Sequence, residues 1–243
     1  PSLGLFLDEK WTGDGLKIKE VIKRGPFAVK NTGVKSGDII ESIDGVKIVA
    51  GADYNALLDG KAGKPVRIGI KGKHDAVVIK PITMGALKEL LYKRWVDRNR
   101  AFVDSISGGR IAYVHVKAMD SQSFRTVYEE LLSESNRNRD AVVVDERHNG
   151  GGWLHDDLCT LLSGKEYQQF VPRERYIGSD PFNKWTKPSC VLICEDDYSN
   201  GHGFPWVYKE LGIGKLIGTP VAGTMTAVWW ETMMDRSLVF GIP

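Results

Sequence analysis

Long apolar runs are missing from this sequence. No segment approaches the roughly 20 residues that a helix needs to cross a bilayer, so no membrane span is expected. Blocks of one charge are missing too. The 33 basic and 31 acidic residues leave a net charge of +2, and no basic-aromatic ladder breaks that balance, which argues against a nucleic-acid partner. Cysteine is scarce: Cys159, Cys190 and Cys194 all sit in apolar surroundings. Cys190 and Cys194 lie too far apart along one extended strand to bridge each other, and their spacing is not that of a zinc site. Neither a disulfide framework, nor a metal, nor a cofactor is expected. An odd set of buried thiols favours a reducing compartment, the cytoplasm over the periplasm or the exterior. Pro1 opens the chain without a signal-peptide pattern, and Leu238-Val239-Phe240-Gly241-Ile242-Pro243 closes it on an apolar, strand-like run. Both ends are expected to continue in a longer protein.

What is present is enough for two domains. A chain of 243 residues, 42% hydrophobic and 26% charged, has the length and composition for two separate cores. Residues 1–82 read as short strands with turns. Leu3-Gly4-Leu5-Phe6-Leu7 is an apolar strand, and Leu16-Lys17-Ile18-Lys19-Glu20-Val21-Ile22 alternates with a period of two. Asp44-Gly45, between Ile39-Ile40-Glu41-Ser42-Ile43 and Val46-Lys47-Ile48, signals a hairpin. Tyr54-Asn55-Ala56-Leu57-Leu58 predicts a short helix, and two strands, 66–70 and 76–79, close the unit. Residues 83–107 read as a connecting helix, with Leu87, Leu90, Leu91, Trp95 and Val96 at helical spacing.

From Gly108 to the end the pattern becomes α/β. Strands are predicted at 110–116, 141–145, 190–194 and 215–218, with helices at 121–132, 153–162 and 206–211, and Arg173 to Ile177 as an edge strand. Strands alternating with helices of this size imply a mainly parallel sheet with crossover helices. Pro205 is placed in the first turn of its helix, where a missing N–H costs little.

Ligands of such sheets bind at the carboxyl edge, which makes two strand-to-helix turns the candidates. One is Asp145-Glu146-Arg147-His148-Asn149-Gly150-Gly151-Gly152, whose glycines let backbone N–H groups approach a ligand. It lacks the Gly-Lys-Ser/Thr string of a phosphate loop, and a merely tight loop is the plain alternative. The other is Asp197-Tyr198-Ser199-Asn200-Gly201. Ser199 just before a helix is either an N-cap or a nucleophile. As a nucleophile it would use the Asn200 N–H and the glycine loop as a two-donor oxyanion hole.

The order of the first 82 residues, with Ser36-Gly37-Asp38-Ile39-Ile40 and its Asp-Gly turn, resembles a PDZ domain of the type found inside bacterial proteases. That resemblance makes Leu3, Gly4, Leu5 and Phe6 the carboxylate-binding loop and peptide-pairing strand. Arg94-Trp95-Val96-Asp97-Arg98-Asn99-Arg100, then Ser107-Gly108-Gly109-Arg110-Ile111-Ala112-Tyr113-Val114-His115-Val116, resembles the join between PDZ domain and catalytic core in tricorn-type proteases. Val144-Asp145 to Gly152, Tyr198-Ser199-Asn200-Gly201 and Leu216-Ile217-Gly218-Thr219-Pro220-Val221-Ala222-Gly223 follow in the same order. The likeness extends to carboxy-terminal processing proteases and their crotonase-like α/β core. It implies a PDZ-like domain at 1–82, a helical connection at 83–107 and a protease core at 108–243. It also implies an acyl-enzyme at Ser199, an oxyanion hole from Asn200 with Gly151 or Gly152, peptide or unfolded-protein substrates, and a homo-oligomer.

The sequence departs from the resemblance in two places. Thr224 stands where carboxy-terminal processing proteases carry a lysine base, and Asn200 stands where an aspartate is expected after the serine. The tricorn branch takes its base from a histidine before the PDZ domain and its orienting glutamate from beyond the nucleophile, both outside these residues. Inside them, His202 and His148 are candidate site-lining residues and His155 flanks the glycine loop, whereas His115 in a strand and His74 in a turn are poor candidates for a base. The leading expectation is a serine peptidase core that lacks its base. The rival is a catalytically inactive, PDZ-containing peptide-binding module; an acyl-CoA enzyme on the same core is disfavoured.

Overall fold

Alternation in the first third of the chain becomes an antiparallel sheet. A computed structural model describes residues 1–30 and 32–242; Asn31, and Pro243 at the end of the expected terminal strand, lie outside the described residues. The chain divides into two compact units, Pro1–Arg98 and Asn99–Pro243. In the first, β1 (Leu5–Leu7), β2 (Leu16–Val21), β3 (Ile39–Ile43), β5 (Val66–Ile70) and β6 (Val77–Ile79) pair in that order, with β4 (Val46–Lys47) on β3. Every named pairing in this sheet is antiparallel. Inward residues Ile18, Ile40, Ile43, Ile68, Ile70 and Ile79 form one core with Phe27 of α1 (Pro26–Val29). Asp44 (φ +48°) and Gly45 (φ +83°) make the β3–β4 turn, both in the left-handed region that such a two-residue hairpin requires. The short helix expected at Tyr54–Leu58 is a 3-10 helix, started by Asp53, whose carboxylate accepts from the Asn55 N–H at 2.9 Å.

A helix, α2 (Met84–Ser107), runs out of this unit and into the next. In the first unit its Arg94 holds Glu20 through two bonds of 2.6 Å and lies over the Phe6 ring at 4.9 Å. In the second unit Arg100 Nη2 donates to Glu130 at 2.7 Å. No helix among the described residues is long and apolar enough to cross a membrane.

The second unit is α/β. Strands β7 (Ile111–His115), β8 (Ala141–Asp145), β11 (Ser189–Ile193) and β12 (Lys215–Gly218) form a parallel sheet in the order β12-β11-β8-β7. The crossovers are α3 (Ser121–Leu131) with the short α4 (Glu134–Arg137), then α5 (His155–Leu162), then α6 (Asn200–Glu210). Val142, Val144 and Val191 are buried together with Val127, Leu131, Leu158, Leu161, Phe204 and Tyr208. Burying each such side chain is worth about 1.5–3 kcal/mol, which is why the apolar faces of helices and sheet close on each other.

Three sequence expectations are corrected. Arg173 to Ile177 is no strand: Pro172–Glu174 is a 3-10 turn, and the strands are the flanking β9 (Gln168–Phe170) and β10 (Gly178–Asp180), paired with each other. The helix expected at 206–211 begins at Asn200, so Pro205 lies inside it, not in its first turn. The terminal apolar run is one half of a hairpin, β13 (Trp229–Thr232) with β14 (Val239–Ile242), whose first strand was not anticipated.

Candidate active site

The turns after β8 and β11 leave the same edge of the sheet, since Leu192 sits opposite Asp145 in the parallel register. Asn149 ties them together. Its N–H donates to Asp197 Oδ1 (3.2 Å), its Nδ2 to the Val116 carbonyl (2.9 Å), and its Oδ1 accepts from the Gly151 N–H (2.8 Å). Its carbonyl accepts from the Tyr198 N–H at 2.9 Å. The residue is wholly buried, so each of these polar atoms would be costly to leave unpaired. Asp197 completes the clamp by accepting from the Cys194 N–H at 2.8 Å.

These ties bring Ser199 to the glycine loop. A Cβ added to Gly151 would lie 2.7 Å from Ser199 Cβ and 3.1 Å from the Asn200 nitrogen, so only a bare backbone fits there. The Gly201 N–H donates to the Tyr198 carbonyl at 2.9 Å, closing a tight turn with Ser199 at its second position. Ser199 has φ +53° and ψ −117°, a conformation that glycine adopts freely and serine does not. Its side chain makes no capping bond, so the N-cap reading fails even though Ser199 holds the cap position of α6. Among the described residues its Oγ has no hydrogen-bond partner.

Thr224 sits against this turn. Its Oγ1 accepts from the Ser199 N–H at 3.1 Å and donates to the Ala222 carbonyl at 3.3 Å, so it anchors backbone. Asn200 turns its side chain away from Ser199. Oδ1 accepts from the Leu154 N–H (2.8 Å) and the His155 N–H (3.0 Å), while Nδ2 donates to His155 Nδ1 (2.8 Å). It therefore caps α5, whose own Leu154 offers no capping side chain. The amide can accept the two N–H bonds and donate to the imidazole at once, whereas an aspartate could only accept.

Of the two glycines expected to stabilise an oxyanion, Gly151 has its N–H taken by Asn149. The Gly151 carbonyl accepts from the Met119 N–H at 3.0 Å, and the Gly152 N–H across the same trans peptide points the opposite way. Among the described residues neither Gly152 nor Asn200 has a partner for its N–H.

Histidines are distributed around the site, and none is shown bonded to Ser199. His202 Nδ1 accepts from the Met225 N–H at 3.3 Å, and His155 is held by Asn200. His148 Nδ1 lies 3.0 Å from Asp196 Oδ2. His115 is buried with Nε2 3.2 Å from the Arg147 carbonyl, and burial pulls its pKa down.

Three buried carboxyl groups, those of Asp145, Glu146 and Asp197, lie under the site. Burial disfavours ionised Asp145, but Arg147 (2.9 and 2.6 Å) and the Tyr113 hydroxyl (2.7 Å) outweigh it and hold its carboxyl below the usual range. Glu146 is fully buried with neither carboxyl oxygen hydrogen-bonded. Burial, reinforced by the Asp197 and Asp145 carboxylates, pushes it well above the usual range and favours its neutral form. Sequence reasoning did not single out Asn149, Asp197 or Glu146. For Asn149 the signal was there, an amide that opens the glycine string; for the buried acids there was none.

A strained serine between a bare glycine turn and a helix N-terminus, on the carboxyl edge of a parallel sheet, is the arrangement of a serine hydrolase. Residues 110–243 match the model of peptidase family S41, and residues 14–84 that of the tricorn protease PDZ domain. The chain belongs to peptidase family S41. It is 28% identical to the tricorn protease of Thermoplasma volcanium, across 85% of this chain and 20% of that protein. It is 30% identical to the tricorn protease of Thermoplasma acidophilum, across 79% of this chain and 18% of that one. A crystal structure of the tricorn protease superposes with a TM-score of 0.83 at 26% identity, covering 98% of this chain and 24% of that one. The chain thus spans about one fifth of the length of these curated relatives.

Proposed function

We propose that this chain carries the nucleophile of a serine endopeptidase acting on peptides or unfolded protein. Ser199 Oγ attacks the scissile carbonyl, the C–N bond breaks, and the leaving amine takes up the hydroxyl proton by way of a base. The developing oxyanion is held by the Asn200 N–H at the start of α6 and by a glycine N–H, Gly152 in preference to Gly151, whose N–H Asn149 already occupies. The observation that carries the reading is the Ser199 turn. Its backbone is in a conformation unfavourable to serine, yet its hydroxyl makes no cap, and its Cβ lies where the loop has room only for the bare backbone of Gly151.

We place the base in sequence outside residues 1–243: His202, three residues past Ser199, has its Nδ1 accepting from the Met225 N–H, and His155 is held by Asn200. Since β1 is an edge strand, Leu3, Gly4, Leu5 and Phe6 offer a place for an extended peptide to add to the PDZ-like sheet. The test is covalent labelling of the full-length protein with a fluorophosphonate. The modified peptide is expected to carry the label on Ser199, and Ser199→Ala to abolish it. A folded full-length protein that stays unlabelled, or is labelled elsewhere, would favour a non-catalytic peptide-binding module. Residues 1–243 alone are expected to hydrolyse peptides only at background; robust turnover lost in both Ser199→Ala and His202→Ala would make His202 the base.

A further inference from the structure

The two site turns bring together a second cluster of reactive side chains. His148 follows β8, and Cys194 and Asp196 follow β11. His148 Nδ1 lies 3.0 Å from Asp196 Oδ2 and 3.8 Å from Cys194 Sγ, and all three donor atoms fall within 4.8 Å of one another. Tetrahedral zinc with sulfur, nitrogen and oxygen ligands has donor-to-donor edges of about 3.3–3.6 Å. The 3.0 and 3.8 Å separations bracket that range, and the remaining sulfur-to-oxygen edge lies within 4.8 Å.

The cluster is braced by the same backbone that positions Ser199. His148 has φ +68°, a left-handed conformation uncommon for a residue with a side chain, and its own N–H donates to Cys194 Sγ at 3.2 Å. Cys194 Sγ lies 3.5 Å from Asp197 Oδ1, which in turn accepts from Asn149. Cys194 is buried, whereas the His148 and Asp196 side chains are 63% and 66% exposed. Sulfur therefore forms the floor of the cluster, and a fourth position opens to solvent. A histidine–aspartate ion pair would need no thiol at its centre. The cysteine spacing alone gave no sign of this site, because one of its ligands comes from the other turn.

We propose that His148, Cys194 and Asp196 form a binding site for a thiophilic divalent cation of the zinc class. On binding, the Cys194 S–H bond breaks, its proton passes to solvent, and sulfur forms a bond to the metal. His148 coordinates through the Nδ1 lone pair with its proton on Nε2, Asp196 coordinates through one carboxylate oxygen, and water takes the fourth position. Thiolate and carboxylate together neutralise the double charge. The metal would join the end of β11 to the loop after β8, the two segments that Asn149 already couples beneath Ser199.

Cobalt titration of the reduced, chelator-free full-length protein tests this directly. Stoichiometric uptake is expected, with tetrahedral visible bands, a near-ultraviolet sulfur-to-cobalt charge-transfer band and release of one proton per metal. Cys194→Ser should abolish the charge-transfer band, while Cys159→Ser and Cys190→Ser keep it. His148→Ala and Asp196→Ala, both at exposed positions, should weaken binding by at least about ten-fold. They decide the matter should Cys194→Ser fail to fold. Wild-type protein without the sulfur band in excess cobalt, a band that survives Cys194→Ser, or undiminished affinity in both alanine variants would overturn the proposal.

Discussion

The turns after β8 and β11 leave one sheet edge side by side, yet they handle backbone strain in opposite ways. Where the first lies against Ser199 it places glycine, Gly151 at φ +93° followed by Gly152 at φ +135°, although His148 earlier in the same turn is left-handed too at φ +68°. The second enters that region at φ +53° with a serine, where glycine would fit without strain. Such a conformation costs on the order of 1–3 kcal/mol for a residue with a side chain, and Ser199 returns none of it by capping α6. Nothing in packing explains a hydroxyl kept under strain, with neighbours stripped of side chains around it. The difference separates a turn shaped by what must approach it from a turn shaped by what it must present.

Adding a methyl group to the first turn should break this contrast most severely. A Cβ at Gly152 would lie 2.1 Å from the Met119 carbonyl oxygen, a backbone atom held by the Trp153 N–H at 2.8 Å. Gly152→Ala is expected to destabilise the core by at least about 3 kcal/mol, combining a clash with an unfavourable φ. Urea unfolding measures it; a variant within about 0.5 kcal/mol of wild type would mean that the loop relaxes freely and is not a fixed donor.

The opposite change should sharpen it. Ser199→Gly is expected to raise unfolding stability by about 1–2 kcal/mol by releasing the strained conformation, while removing labelling by a fluorophosphonate. Ser199→Ala removes the hydroxyl but leaves the strain, so its stability should stay near wild type. Equal stability of the two variants would show that the turn is not strained and would weaken the case for a held nucleophile.

Much of this architecture was legible because it is local. Alternation, the Asp44-Gly45 turn and the β-branched run before Asp145 each fix their strands through contacts a few residues away. The likeness to tricorn-type cores extended that reading across both units. Pro205 misled because it suggested a helix start, whereas Tyr198, Ser199 and Gly201 set the start five residues earlier through backbone geometry. Arg173 to Ile177 misled because its alternation of Arg173, Glu174 and Arg175 into Tyr176-Ile177 mimics a short edge strand. The rest depends on residues far apart in sequence. Asn149 meets Asp197, Cys194 meets His148, and Asn200 caps a helix that begins 45 positions before it. No periodicity encodes such pairs.

That last pairing gives the smallest effects and the cleanest contrast, between a cap supplied from afar and one supplied locally. The N-terminus of α3 is capped by the residue just before it: Asp120 Oδ1 accepts from the Ser123 N–H at 2.7 Å. The N-terminus of α5 relies on Asn200 from the other turn. Asn200→Ala should cost about 1–2 kcal/mol, towards the upper end for a cap because a buried N–H of Leu154 and a part-buried one of His155 lose their acceptor. Asp120→Ala should cost about 1 kcal/mol. The two caps should also differ with pH. The Ser123 N–H bond, followed by opposing desolvation and smaller favourable bonds, holds Asp120 below its ordinary 3.8. A carboxylate whose folded pKa is depressed contributes its stability above the unfolded value and loses it as pH falls through the folded one. The gap between wild type and Asp120→Asn, which keeps a capping oxygen without a charge, should therefore be small at neutral pH and shift in favour of asparagine on acidification below 3.8. The cap oxygen lost in Asn200→Ala is an amide, which has no charge to lose on acidification below 3.8. Denaturant unfolding of all four proteins along one pH series decides it; parallel curves for Asp120→Asn and wild type would remove the ionised cap from α3.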